Sequence, residues 1–448
     1  MASEVTLRRV LVIAMPMMLA HATTPLLGLV GATAIGRLGQ PALLGAVALG
    51  AVIFDLLFWT FGALRMATAG LTAQAFGAGE SDEIDRLAAR GLILAGLIGI
   101  LIVALQHPIG RTAFALAGAS EAVNSGLAVY FGIRVWAAPF TLANYAILGS
   151  VLGRGRTDLG LLLQVAINLV NVALTLLLVM VWDYGIAGAA IAPLLAEAAG
   201  TLLGFVVLSR VGSHPFRVPL HGLLDRTAAL RMLLVNRDIM IRTLALVLAY
   251  AVFAAEGARA GDVTLAANAI LQNLWLTAGY VLDGFATAAE TLCGQALGAR
   301  NEARFRRAVR LALGCCFGVG AVLSALFLAG GAALVDFVST SSEVREEARR
   351  FLVLAALTPL ASAAAFTFDG VFIGATWTRP MRDLMLASFG LYLAIVWAGS
   401  SLGNTGLWLA MLAFLASRGI GQALAYPALV RRAFAAVVPA ARVAPATP

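Results

Sequence analysis

The chain has 448 residues, of which 61% are hydrophobic and only 12% are charged, and its mean hydropathy is +0.92. A soluble globular protein carries about a quarter charged residues, so this composition excludes an ordinary soluble domain and indicates a protein solvated by lipid. The four histidines and three cysteines are few and scattered, so neither a metal site nor a disulfide framework is expected.

Twelve apolar segments follow one another along the chain, and each can supply the roughly 20 residues that a helix needs to cross a bilayer. They do not alternate with a period of two, so they are predicted to be helices and not strands of a membrane barrel. The expected fold is therefore an all-α polytopic membrane protein. The segments cover residues 8–36, 43–76, 87–107, 121–152, 159–182, 186–209, 235–257, 263–297, 304–328, 344–374, 381–400 and 406–430.

Every basic residue is an arginine, and the arginines cluster in alternate loops. By the positive-inside rule these loops are cytoplasmic, which places both termini in the cytoplasm and the chain in a plasma membrane, the inner membrane of a bacterium. The formal net charge of +8 is therefore explained by membrane topology. Lipids are the expected partners, and binding of nucleic acid is not expected. The clusters lie at 8–9, 86–90, 154–156, 210–242, 300–310, 379–382 and 431–432.

The two halves of the chain resemble each other. The stretch TAQAFGAGESDEIDR begins at Thr72 and CGQALGARNEARFRR begins at Cys293, at an offset of 293 − 72 = 221 residues. Six segments separate corresponding points, so the halves are parallel repeats, and rocking one bundle against the other would give alternating access. The predicted divisions are an N-terminal six-helix lobe (1–209), a cytoplasmic linker (210–234), a C-terminal six-helix lobe (235–432) and a cytoplasmic tail (433–448).

Several segments resemble the multidrug and toxic compound extrusion (MATE) family. The strongest are LRMATAGLTAQAFGAG at 64–79 and LDGFATAAETLCGQALGARN at 282–301, and FDGVFIGATWTRPMRDLM at 368–385 is similar to the DNA-damage-inducible protein F branch. The resemblance covers both halves with order and spacing intact. It implies twelve helices in two lobes, and export of bulky, often cationic compounds against an inward flow of protons or sodium ions.

The sequence departs from the pattern of this branch at the cation site. The branch usually has an Asp in the first helix, where Gly31 stands here, and the family often has a second Asp in the fifth helix, where Thr175 stands. Asn144 and Asn171 remain. Because none of these four side chains titrates near neutrality, the N-lobe cation site is not expected to work in its usual form.

Ionisable groups inside a membrane are costly, so each one is a functional candidate. Gln272, Asp283 and Glu290 share one face of the eighth helix, and Asp369 lies in the tenth. We expect these C-lobe groups to couple the ion or bind cargo, or else to hold helices together. Arg65 would neutralise a C-lobe acid, or pair locally with Asp55 or Glu197. The remaining candidates are Asp55 and Glu197 as N-lobe acids and His21 as a substitute for the missing Asp.

The leading functional prediction is a secondary antiporter that exports organic cations or amphipathic drugs by alternating access, coupled to protons through the C-lobe carboxylates. Sodium coupling, a lipid-intermediate flippase of the wider superfamily and an uncoupled relic remain alternatives. No nucleophile–base set indicates an enzyme, and no channel filter motif is present in the sequence. No cofactor beyond the ion gradient is expected, and the chain is expected to work as a monomer.

Overall fold

The computed structural model describes residues 5–37, 40–223 and 225–435. This part of the chain folds into α-helices with a few short 3-10 and π segments, and it contains no β-strand. The helices are α1 (Leu7–Ala22), α2 (Thr24–Gly36), α3 (Pro41–Phe61), α4 (Ala63–Ala78), α5 (Ser81–Ala104), α6 (Gln106–Ala117), α7 (Glu121–Arg134), α8 (Ala138–Gly153), α9 (Thr157–Thr175), α10 (Gly185–Arg210), α11 (Leu220–Leu223), α12 (Arg226–Arg259), α13 (Asp262–Gly298), α14 (Glu302–Val338), α15 (Ser342–Ala356), α16 (Thr358–Gly374), α17 (Thr378–Ala398) and α18 (Asn404–Ala435).

Four of the predicted segments are pairs of helices in sequence: α1 with α2, α3 with α4, α7 with α8, and α15 with α16. Pro25, Pro139 and Pro359 each stand in the first turn of the second helix of a pair, where a missing backbone N–H costs least. In the described part of the chain, ten helical segments are long and apolar enough to cross a membrane. The prediction of an all-α polytopic fold with about twelve helices in two bundles is confirmed.

The first bundle contains α1 to α10 and the second contains α12 to α18. Helix α12 begins at Arg226, inside the stretch 210–234 that was predicted to be a linker. Helix α18 ends at Ala435, so most of the predicted tail, 436–448, lies outside the described residues. The lobe limits drawn from the repeat remain predictions.

Helix α13 is the main contact between the bundles. It packs against α1 and α4 of the first bundle and against α16 of its own. The fit is close because glycines stand where the backbones meet: a Cβ at Gly284 would lie 2.8 Å from the carbonyl oxygen of Ala14, and one at Gly294 would lie 2.6 Å from the Cβ of Ala73. Glycine is therefore required along this helix for the two bundles to approach.

The contacts between α13 and the first bundle extend to one end of the helices, the end that carries the arginine-rich loops at 8–9, 154–156 and 300–310. We call this the arginine-rich end. Thr291 donates a hydrogen bond to the carbonyl oxygen of Leu152, 3.0 Å away across the boundary and next to this end. At the opposite, arginine-poor end, α2 packs against α3, α9 and α10 of its own bundle. The bundles thus close on each other at the arginine-rich end.

Gly370→Ala should destabilise the second bundle, because its Cβ would collide with the carbonyl oxygen of Ala286 on α13. Overpacking of this kind costs about 1–3 kcal/mol, so the Tm measured by tryptophan fluorescence in detergent should fall. Gly318→Ala is the matched control, since nothing lies within 4 Å of a Cβ there. Equal Tm values for the two variants would contradict the close packing of α16 on α13.

Candidate functional site

His21 and Asp283 meet across the boundary between the bundles. His21 lies near the end of α1, just before the break at Thr23, and Asp283 lies in the middle of α13. The Nε2 atom of His21 is 3.2 Å from Oδ2 of Asp283, and the two side chains are 26% and 28% exposed. The imidazole also stacks on the ring of Tyr280, with 6.1 Å between ring centroids. A protonated imidazole here would form an ion pair that joins the two lobes.

Glu290 and Arg65 form the next level of the boundary. Glu290 follows Asp283 by seven residues, about 10 Å along α13, and it is buried with no hydrogen-bond partner for Oε1. Arg65, on α4 of the first bundle, is within electrostatic range of both carboxylates. Its buried Nη1 atom also lacks a hydrogen-bond partner. Of the two alternatives for Arg65, this placement favours the one that neutralises acids of the second bundle.

Asp369 is enclosed by cationic and amide donors inside the second bundle. Its Oδ2 atom accepts hydrogen bonds from Arg242 of α12 and from Arg418 of α18, the latter at 2.7 Å. Its Oδ1 atom accepts one from Gln422, also at 2.7 Å. All four residues are buried. The carboxylate is therefore held in a fixed ion network, which is the structural alternative to a coupling role.

The first bundle carries a smaller polar cluster around Arg134. The guanidinium of Arg134 lies 5.5 Å from the ring centroid of Phe58 and within electrostatic range of Asp55 and Glu197. Glu197 accepts a hydrogen bond from the amide of Asn144 at 2.7 Å. The structure thus brings together three of the predicted N-lobe residues around an arginine that the sequence analysis did not consider.

Gly31 and Thr175 stand at the two positions where a carboxylate is usual in this family. Thr175 donates a hydrogen bond to Oδ1 of Asn171, 3.2 Å away on the same helix, directly before a π segment at Leu176–Val181. Nothing lies within 4 Å of a Cβ built on Gly31. Asn168 donates to the hydroxyl of Thr23 at 2.6 Å and so ties α9 to the break between α1 and α2. The space for an acidic side chain at residue 31 is open.

Gln272 lies 11 residues before Asp283 on α13, about 16 Å away along the axis. It is half-buried and shares no described contact with Asp283 or Glu290. The polar stripe predicted on this helix therefore separates into two acids at the lobe boundary and an amide closer to the arginine-poor end.

Three intramembrane arginines were not among the candidates drawn from the sequence: Arg134, Arg242 and Arg418. The assignment of Arg242 to the cytoplasmic cluster at 210–242 was wrong, because Arg242 is buried in α12 against Asp369. Each of the three lies within a predicted span, where an ionisable residue is by default a candidate. Arg242 and Arg418 bring the number of guanidinium groups at and behind the boundary to three, and these lie within electrostatic range of three carboxyl groups. The groups are Arg65, Arg242, Arg418, Asp283, Glu290 and Asp369.

Two helical bundles with an ionisable cluster on their shared boundary are the arrangement expected of a secondary transporter. The chain matches the MatE family model over residues 16–177 and 239–398, which covers both bundles. The chain belongs to this family of multidrug and toxic compound efflux transporters, and it is a membrane transporter.

Known proteins agree with this assignment. The chain is 36% identical to DNA damage-inducible protein F of Escherichia coli over 422 residues, covering 92% of this chain and 90% of the relative. It is 28% identical to a probable multidrug resistance protein NorM of Deinococcus radiodurans, covering 92% and 93%. A crystal structure of MATE in the bent conformation shares the fold with a TM-score of 0.86 at 18% identity, covering 96% of each chain.

Asp369→Asn should be strongly destabilising. It leaves Arg242 and Arg418 buried with no carboxylate between them, and breaking a buried charge network costs about 3–5 kcal/mol. The Tm in detergent should therefore fall, and adding Arg242→Leu should recover part of the loss because one uncompensated charge is removed.

Asp336→Asn is the matched control, because Asp336 pairs with Arg349 at an exposed site. Such pairs contribute at most about 1 kcal/mol, so its Tm should stay close to that of the unaltered protein. An Asp369→Asn variant with normal Tm but altered proton dependence of transport would instead assign Asp369 a coupling role.

Proposed function

We propose that this transporter is a proton-coupled antiporter that exports organic cations or amphipathic compounds by alternating access. The observation that carries the proposal is the approach of His21 to Asp283 across the lobe boundary. Imidazole is the side chain that exchanges protons most readily near neutral pH. The first helix has lost its usual acid, yet it presents a titratable group to an acid of the opposite bundle.

A change of charge beside Asp283 explains how a bound proton and a bound cargo would exclude each other. With His21 neutral, Asp283 and Glu290 can attract a cationic cargo. A proton on His21 adds one positive charge to these boundary groups and supplies Asp283 with a resident cation 3.2 Å away. Proton binding therefore weakens cargo binding, which is the linkage that antiport requires.

Asp283 and Glu290 are the coupling carboxylates in this proposal, and Asp369 has a structural role. Both oxygens of Asp369 already accept hydrogen bonds from donors of its own bundle. Glu290 has an oxygen without a hydrogen-bond partner and lies within electrostatic range of Arg65 of the first bundle, so its environment changes when the lobes separate. A group can couple an ion to lobe movement only if its surroundings differ between the two states.

Sodium coupling and lipid flipping are less well supported by these contacts. A sodium site needs several oxygen ligands free of other partners, and the oxygens of Asp369 are taken by guanidinium and amide groups. A flippase for an anionic lipid needs basic groups without acidic neighbours, whereas Arg65 at the boundary lies within electrostatic range of Asp283 and Glu290.

We further propose that the arginine-rich end is cytoplasmic, so that the protein is closed to the cytoplasm in this structure and both termini lie on that side. The name of the Deinococcus relative, a probable multidrug resistance protein, supports a range of small organic cargoes. We also propose that the protein lies in a bacterial inner membrane and functions there as a monomer in contact with lipid.

Transport of a fluorescent organic cation into or out of proteoliposomes under an imposed pH gradient tests the coupling. His21→Gln and Asp283→Asn should each reduce gradient-driven transport at least about tenfold, and Glu290→Gln should reduce it as well. Adding Gly31→Asp to His21→Gln should restore part of the activity, because a carboxyl at residue 31 has open space.

Glu302→Gln is the matched control, since Glu302 pairs with Arg306 at an exposed site, and it should transport normally. Each variant should keep its Tm. His21→Gln should also keep its binding of the dye, whereas Asp283→Asn and Glu290→Gln should bind the cationic dye more weakly because each removes a carboxylate that attracts it. Unchanged gradient-driven transport in both His21→Gln and Asp283→Asn would reject the proposed coupling site.

A further inference from the structure

Gln74 of the first bundle forms hydrogen bonds to the second bundle through both its side-chain nitrogen and its side-chain oxygen. Its Nε2 atom donates to the carbonyl oxygen of Gly374, 2.8 Å away. Its Oε1 atom accepts a hydrogen bond from Arg231 of α12 at 3.0 Å. Both partners lie at the arginine-rich end.

Gln295 of the second bundle makes the reverse connection. Its Nε2 atom donates to the carbonyl oxygen of Gly153 in the first bundle at 3.0 Å. Its Oε1 atom accepts from Arg9 of α1 at 3.3 Å. Each glutamine therefore reaches one backbone carbonyl and one arginine of the opposite bundle.

The two connections are related by the internal repeat. Gln74 and Gln295 are separated by 295 − 74 = 221 residues, and Gly153 and Gly374 by 374 − 153 = 221, which is the offset of the repeat. The two arginines come from the first helices of the two bundles. The four hydrogen bonds thus form two equivalent pairs, one pair for each glutamine, related by the axis of the internal repeat.

The chemistry of this position suits glutamine. A backbone carbonyl can only accept a hydrogen bond and a guanidinium can only donate, so the side chain between them needs both an N–H and an oxygen. A glutamate would lack the donor, and a leucine would lack both. Gly77 and Gly298 bring the backbones together here, because a Cβ on either would collide with the backbone of the opposite glutamine.

We propose that Gln74 and Gln295, with Arg231 and Arg9, form a symmetric latch that holds the arginine-rich end closed. The lobes cannot separate at this end without breaking all four bonds, so the glutamines set how often the end opens. Each of these hydrogen bonds, two from amide groups and two from guanidinium groups, contributes at most a few kcal/mol at a half-buried site, which permits reversible opening. The latch acts on the conformational equilibrium and is independent of the coupling ion.

The rate of thiol alkylation at the boundary measures this opening. In a protein whose three native cysteines are replaced by alanine, Thr291→Cys places one thiol at a buried contact between the lobes. Gln74→Ala with Gln295→Ala should raise its rate of modification by a water-soluble reagent at least about tenfold, equivalent to about 1.4 kcal/mol in the opening equilibrium. Gln74→Leu alone should also raise the rate, because it removes both the donor and the acceptor.

Gln164→Ala is the matched control, since the Gln164 amide bonds only Asn168 on its own helix, and the alkylation rate should not change. The Tm of each variant should stay near that of the reporter protein, which separates opening from unfolding. An unchanged rate in the double glutamine variant, or an equal rise in Gln164→Ala, would overturn the latch. No proton gradient is used, so this result is separate from that of the transport assay.

Discussion

The approach of α13 to helices of both bundles is the constraint on which the other features depend. Its glycines let the backbones of α1, α4 and α16 come within contact distance. One helix of the second bundle therefore forms most of the lobe boundary. Asp283, Thr291 and Gln295 on this helix each contact the first bundle, so relative movement of the lobes changes their partners.

Two kinds of polar contact share this boundary, and they have different physical roles. The glutamine bonds at the arginine-rich end are symmetric and join amide, carbonyl and guanidinium groups, none of which changes protonation near neutral pH, so they respond to lobe separation and not to acidity. The pair of His21 and Asp283 joins an imidazole to a carboxyl group across the boundary and occurs once, because the repeat has diverged there. A transporter of this kind needs both a closed end and a charge change that biases opening.

Much of the fold could be predicted from the sequence, because apolar length and the 221-residue repeat are local or periodic signals. The acids of α13 could be placed on one face by helical geometry alone. The partners of Asp369 could not, since Arg242 and Arg418 lie more than 40 residues away on other helices and pairing across helices leaves no periodic signal. The hydrogen bonds of Gln74 and Gln295 to the opposite bundle could not be predicted for the same reason, although the repeat aligns the two glutamines.

Proton release on cargo binding tests the central claim most directly. When an organic cation such as tetraphenylphosphonium binds the detergent-solubilised protein in weakly buffered solution near neutral pH, protons should appear in the solvent. The variant with both His21→Gln and Asp283→Asn should release none, even where some binding remains. Equal proton release from that variant and from the unaltered protein would contradict the account.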